Sequence, residues 1–132
     1  ATHLGPVGSG ALLKLVNNFM AGVQVAAMGE ALAWIERTGL DRTQALAFLS
    51  EGAVGSPVTK TVAARMAAAD FTPNFFLKLM AKDLGYAVAE AAHAGQTLST
   101  AATALLRFRA AVAAGHGEQD MAAVVHAARA DR

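Results

Sequence analysis

Residues 10–38 read GALLKLVNNFMAGVQVAAMGEALAWIERT. Leu12, Leu15, Val16, Phe19, Val23, Ala26, Ala27, Leu32 and Ile35 recur there at helical spacing, which predicts one long helix. Ahead of it, Gly5-Pro6-Val7-Gly8-Ser9-Gly10 reads as a flexible lead-in whose Ser9 can cap the helix. Behind it, Gly39 suits a left-handed stop. Asp41 then caps a shorter helix through Leu49, ended by Gly52. Ser56-Pro57, a cap followed by proline at the first helical position, opens a third helix to about Ala69. Asp70 to Asn74 is a loop, and a fourth helix runs from Phe75 or Phe76 to Gly95. Ser99 or Thr100 starts a fifth reaching Ala114, and after Gly115-His116-Gly117 a last helix occupies 118–130. No window alternates like a strand. The expected fold is all-α, a bundle of about six helices around the first.

Composition narrows the function classes. A length of 132 residues suits one domain, and 55% hydrophobic residues favour a well-filled core over disorder. Eleven Lys and Arg against ten Asp and Glu leave a net charge of +1, too weak a field to hold nucleic acid. Without cysteine there is no disulfide, thiolate nucleophile or thiolate metal site, which fits a reducing cytoplasm. No basic-then-apolar leader opens the chain. The apolar run Phe19 to Gly29 is interrupted by Gln24, whereas a membrane span needs about 20 predominantly apolar residues. The missing initiator Met suggests a processed or excised chain, although simple Met removal before Ala1 looks the same. His3, His93, His116 and His126 lack ligand spacing, so no metal is expected. The glycine-rich lead-in follows no strand and fails as a dinucleotide fingerprint.

Two features of the long helix stand apart. Gly22, Ala26, Gly29 and Ala33 form a smooth stripe that lets another helix approach closely. That stripe suits packing within the domain or a surface for another domain or subunit. Lys14, Asn17 and Asn18 interrupt the apolar start and share one face. They form either a solvated strip or a proton-donating ammonium with hydrogen-bonding amides around a carbonyl. Farther on, Phe75, Leu79 and Lys82 share a face, with Asp83 about 100° around the helix. Lys82-Asp83 by itself reads equally as an exposed charge pair.

Taken together, Gly5-x-x-Gly8-x-Gly10-x-x-x-Lys14-x-x-Asn17-Asn18 resembles the substrate-domain signature of the β-hydroxyacid dehydrogenase family, which includes 3-hydroxyisobutyrate dehydrogenase. Phe75-x-x-x-Leu79-x-x-Lys82-Asp83-Leu84 resembles the family's second motif, 68 residues on from Lys14 to Lys82. The resemblance covers nearly the whole chain. It implies that residues 1–132 are the family's C-terminal all-α domain, without the N-terminal Rossmann domain that binds most of an NAD or NADP cofactor. It implies Lys14 as catalytic acid/base and Asn18 orienting the same oxygen or Lys14, with Asn17 in support. It also implies Lys82 at the cofactor, Phe75 shaping the pocket, and Asp83 positioning Lys82 or the wider network. The implied partners are a small hydroxyacid, the Rossmann domain and further copies of the chain in a homo-oligomer; neither nucleic acid nor membrane is among them. Two departures bear on this. The loop Gly95 to Leu98 lacks the proline often found there, while Lys14, usually replaced in imine-reducing relatives, is retained. An isolated domain of this kind is expected to be inactive. The alternative is a free-standing helical binding or oligomerisation module.

Overall fold

The computed structural model describes residues 6–131. Six α-helices form in order: α1 (Pro6–Ile35), α2 (Arg42–Glu51), α3 (Pro57–Ala68), α4 (Leu77–His93), α5 (Ser99–Ala111) and α6 (Val125–Ala130). A π-helical turn, Val112–His116, follows α5, and a 3-10 turn, Met121–Val124, precedes α6. Among the described residues there is no strand, only one antiparallel bridge between Phe76 and Asp120. The all-α expectation holds.

Local chemistry accounts for the helix starts. Asp41 accepts the Gln44 N–H at 2.8 Å to cap α2. Ser56 caps α3 in a reciprocal box with Thr59, followed by Pro57. Both ends of α1 differ from expectation. The helix already runs from Pro6, so Ser9 lies inside it and the described part of the glycine lead-in is helical; Gly5 lies outside the described residues. Proline is pre-set for a first turn, and each helical glycine costs only about 1 kcal/mol against alanine. At the other end α1 stops at Ile35 rather than 38, and Gly39 is not left-handed. Thr38 closes that end instead, its Oγ1 donating to the Ile35 carbonyl at 2.7 Å. The fifth helix likewise gives way at Ala111, where the π turn leads to Gly115 at φ 98°. The expected last helix over 118–130 is split into the 3-10 turn and α6.

By composition and length Gly8–Ile35 could cross a membrane (mean hydropathy 1.3), a longer apolar stretch than Phe19 to Gly29. In the fold its C-terminal half is the central helix of the bundle. Val25 and Leu32 are fully buried there with Val62 and Met66 of α3, Leu77 and Leu84 of α4, Phe108 of α5 and Val125 of α6. The small-residue stripe belongs to this core. A Cβ on Gly22 would lie 2.7 Å from Met80 Sδ, and one on Gly29 would lie 3.2 Å from Val125 Cα. The stripe therefore packs within the domain, and its reading as an outward surface for a domain or subunit is corrected.

Asp120 ties the two halves of the bundle together. Its side chain is 1% exposed. Oδ1 accepts the N–H groups of Asn74 (2.9 Å) and Phe75 (3.0 Å), and Oδ2 accepts that of Ala122 (2.9 Å). Arg65 lies 3.8 Å away. Beside this clamp the Gln119 carbonyl accepts Leu77 N–H, and the Gly117 carbonyl accepts Lys78 N–H. Helix α4 has no side-chain N-cap, so these carbonyls serve donors that its own first turn leaves free. Nearby, the His116 and His126 rings stack at 4.3 Å between centroids, with Phe71 edge-on to His126.

Asp120→Ala strands three backbone donors. It should destabilise the domain by about 3 kcal/mol or more in urea unfolding, whereas Asp131→Ala should stay within about 0.5 kcal/mol. A loss from Asp120→Ala as small as that control would contradict the clamp. Burial, with His116 and Arg129 nearby, holds His126 below the usual imidazole value of 6.5. The unfolded chain therefore binds this proton more readily, so the contribution is complete above pH 6.5 and lost as pH falls through the folded value. Midpoints measured between pH 5 and 8 should fall on the acid side in the parent. They should fall less in His126→Phe; identical slopes would remove His126 from the pH response.

Candidate active site

The two polar clusters arise on helices packed against each other. Lys14, Asn17 and Asn18 lie on the N-terminal half of α1, while Lys82 and Asp83 lie in the middle of α4. Helix α4 crosses α1 where Gly22 leaves room for Met80 and Leu84. That crossing brings Asn18 to Asp83. Asn18 Nδ2 donates to Asp83 Oδ2 at 2.9 Å, and both residues are half-buried. An ionised carboxylate only accepts, so the contact fixes which end of the amide faces Asp83. The Asn18 carbonyl oxygen is left as an acceptor on the α1 face that carries Lys14 one turn earlier.

Lys14 is exposed, and among the described residues it makes no hydrogen bond or ion pair. Asn17 is exposed as well, and Nδ2 of Asn18 makes the contact with Asp83. Lys82 does not pair with Asp83; its ammonium lies over the Tyr86 ring, 5.7 Å from the centroid. Phe75 is half-buried against the core, its N–H held by Asp120 and its carbonyl accepting Met121 N–H at 2.8 Å. Sequence reasoning passed over Tyr86 and Asp120. Tyr86 carried a signal, one turn beyond Lys82 on the same helix. Asp120 carried a weaker one, a short acidic residue just before a helical segment.

The arrangement can hold a carbonyl or hydroxyl oxygen between a cation and an amide. The family described as NAD-binding of NADP-dependent 3-hydroxyisobutyrate dehydrogenase matches residues 8–128. The chain belongs to that family. It is 37% identical over 139 residues to a probable 3-hydroxyisobutyrate dehydrogenase of Mycobacterium bovis, covering 97% of this chain and 46% of that protein. It is 32% identical over 130 residues to glyoxylate/succinic semialdehyde reductase 1 of Arabidopsis thaliana, covering 98% and 45%. The crystal structure of 3-hydroxyisobutyrate dehydrogenase from Salmonella typhimurium superposes with a TM-score of 0.86 at 30% identity, covering 90% of this chain and 42% of that one. The chain thus spans about half the length of the curated relatives it matches. Use of NAD(P) belongs to the family.

The side chains present fit one edge of such a cofactor. Lys82 is exposed and unpaired with any carboxylate among the described residues, so its ammonium can meet a phosphate or ribose oxygen. The strand–glycine–helix cradle for a pyrophosphate is absent among the described residues.

The Asn18–Asp83 contact can be weighed by a double-mutant cycle. Asn18→Ala and Asp83→Ala should show a coupling of about 1–3 kcal/mol in urea unfolding, since the acceptor is charged and half-buried. Strict additivity would mean that the two motifs meet without interacting.

Proposed function

We propose that this chain is the C-terminal, substrate-side domain of an NAD(P)-dependent dehydrogenase that interconverts a small 3-hydroxy acid and its semialdehyde or oxo acid. The observation that carries the proposal is the Asn18–Asp83 hydrogen bond, which joins the two family motifs in one place. A nicotinamide cofactor held by the whole protein, with Lys82 at its edge, would supply or remove the hydride. As hydride reaches the carbonyl carbon, negative charge grows on the oxygen, and the Lys14 ammonium stabilises that charge and gives up its proton from Nζ. In the oxidative direction neutral Lys14 takes the hydroxyl proton.

Asp83 acts through Asn18. Its carboxylate engages Nδ2 and leaves the amide oxygen to accept from the Lys14 ammonium or the substrate hydroxyl. Asn17 supports the same face of α1, Phe75 forms the apolar wall, and Lys82 meets the cofactor. The remaining binding surface comes from the Rossmann domain of the same protein. A cysteine-free chain fits work in the reducing cytoplasm.

In the full-length protein, Lys14→Ala should lower kcat by about 100-fold or more while leaving the circular dichroism spectrum unchanged. Near-normal turnover would take Lys14 out of the chemistry. The 132-residue chain alone should give no steady-state oxidation of NAD(P)H with a panel of semialdehydes. Clear turnover would refute the assignment as a partial enzyme.

A further inference from the structure

We propose that the groove between α4 and the end of α5 binds a small phosphomonoester, its phosphate dianion held between Lys82 and Arg109. The groove has a volume of about 580 Å³. Lys78, Lys82, Gly85 and Tyr86 line it from α4, Arg109 from α5 and Val112 from the π-helical turn. Three of the chain's eleven Lys and Arg residues thus face one groove that no Asp or Glu lines. Glu118 pairs with Lys78 and neutralises it. Lys82 and Arg109 are exposed, and among the described residues neither has a hydrogen bond or a carboxylate partner. Two like charges in one groove repel, and an anion between them turns that repulsion into attraction.

The groove is shaped for such a ligand. Lys78, Lys82 and Gly85 follow one another at spacings of four and three, on one face of α4. A Cβ on Gly85 would stand 3.6 Å from Arg109 Nη2, so the guanidinium lies across a helix surface bare of side chain. Glycine inside a helix costs stability against alanine, and here it keeps the floor open beside the cations. The Tyr86 ring, 5.7 Å from the Lys82 ammonium, steadies that cation at the groove. A phosphomonoester carries a charge of about −1.5 to −2 near neutral pH, which matches two free cations. The fork of Arg109 can meet two phosphate oxygens and the Lys82 ammonium the third. The volume is of small-molecule size, and Ala81, Val112 and Ala113 offer apolar contact to an organic body beside the phosphate. This site goes beyond the proposed dehydrogenase reaction: only Lys82 is shared with it, and binding needs neither turnover nor the Rossmann domain.

Glycerol phosphate titrated at low salt into the isotopically labelled 132-residue chain should move the amide resonances of Gly85, Tyr86, Arg109 and Val112 and leave that of Trp34 in place. Arg109→Gln should raise the dissociation constant by about tenfold or more with the far-ultraviolet circular dichroism unchanged. Arg37→Gln removes the same charge from an exposed position outside the groove and should change it by about twofold at most. Affinity should also fall as the pH is lowered through the second phosphate ionisation, at about pH 6. Shifts matched by sodium chloride at the same ionic strength would overturn the proposal, as would equal losses from the two arginine variants. Displacement of glycerol phosphate by NAD or NADP would overturn it too, because the groove would then be only the cofactor's edge at Lys82.

Discussion

The structure depends on one buried carboxylate. Asp120 reaches from the segment after α5 to the backbone of Asn74 and Phe75, just ahead of α4. Helix α4 begins at Leu77 with no side-chain cap, and the carbonyls of Gln119 and Gly117 accept its first N–H groups. The start of α4 is therefore set by residues some forty positions later. Its register follows from that start. With Leu77 fixed, Met80 and Leu84 fall into the space left by Gly22, and Asp83 falls beside Asn18. A slip of one residue along α4 would rotate Asp83 about 100° away from α1. The polar site thus rests on an aspartate that contributes nothing to its chemistry.

What could be read in the sequence and what could not divide along contact range. Asp41 and Ser56-Pro57 act within their own first turn, and their caps form as their residue types dictate. The apolar period of α1 is equally local, so the all-α class and its central helix were legible. Gly39 was misread because a glycine permits a left-handed stop without compelling one, and the Thr38 hydroxyl closed the helix first. The reach of Asp120 was hidden for a different reason. Its partners lie 45 and 46 residues away, and no spacing rule connects them. The stripe from Gly22 to Ala33 was legible as a close-packing surface, but whether its partner is internal depends on tertiary contacts alone.

The site shows the same division. Lys14 and Asn18 share a helical face by arithmetic, and Lys82 and Asp83 are neighbours by sequence. The partner of Asp83 was open between Lys82 and the wider network. The fold sends Asp83 to Asn18 and Lys82 over Tyr86, which separates two jobs that adjacency had merged. Asp83 turns inward and orients an amide, while Lys82 turns outward as an available cation. On one α-helix, neighbouring residues point about 100° apart, so such a pair can serve two places at once.

The length of α1 then separates two kinds of surface. Asn18 and Trp34 are sixteen residues apart, about 24 Å along the axis at 1.5 Å per residue. At one end the helix carries an ammonium and amides over a hydrogen-bonded carboxylate. At the other it carries an exposed indole, that of Trp34. Between them lie Gly22, Val25, Ala26 and Gly29, buried on α3, α4 and α6. Close packing there makes the middle of α1 stiff, since a close-packed interior transmits strain and gives little room for local bending. Movement at the Trp34 end can reach Lys14 only by displacing α1 as a unit against Val125 and Met80, at the cost of that packing. The helix is a strut that holds its polar end around Asn18 and its exposed end around Trp34 at a set distance, and Gly22 and Gly29 are where the rest of the bundle grips it.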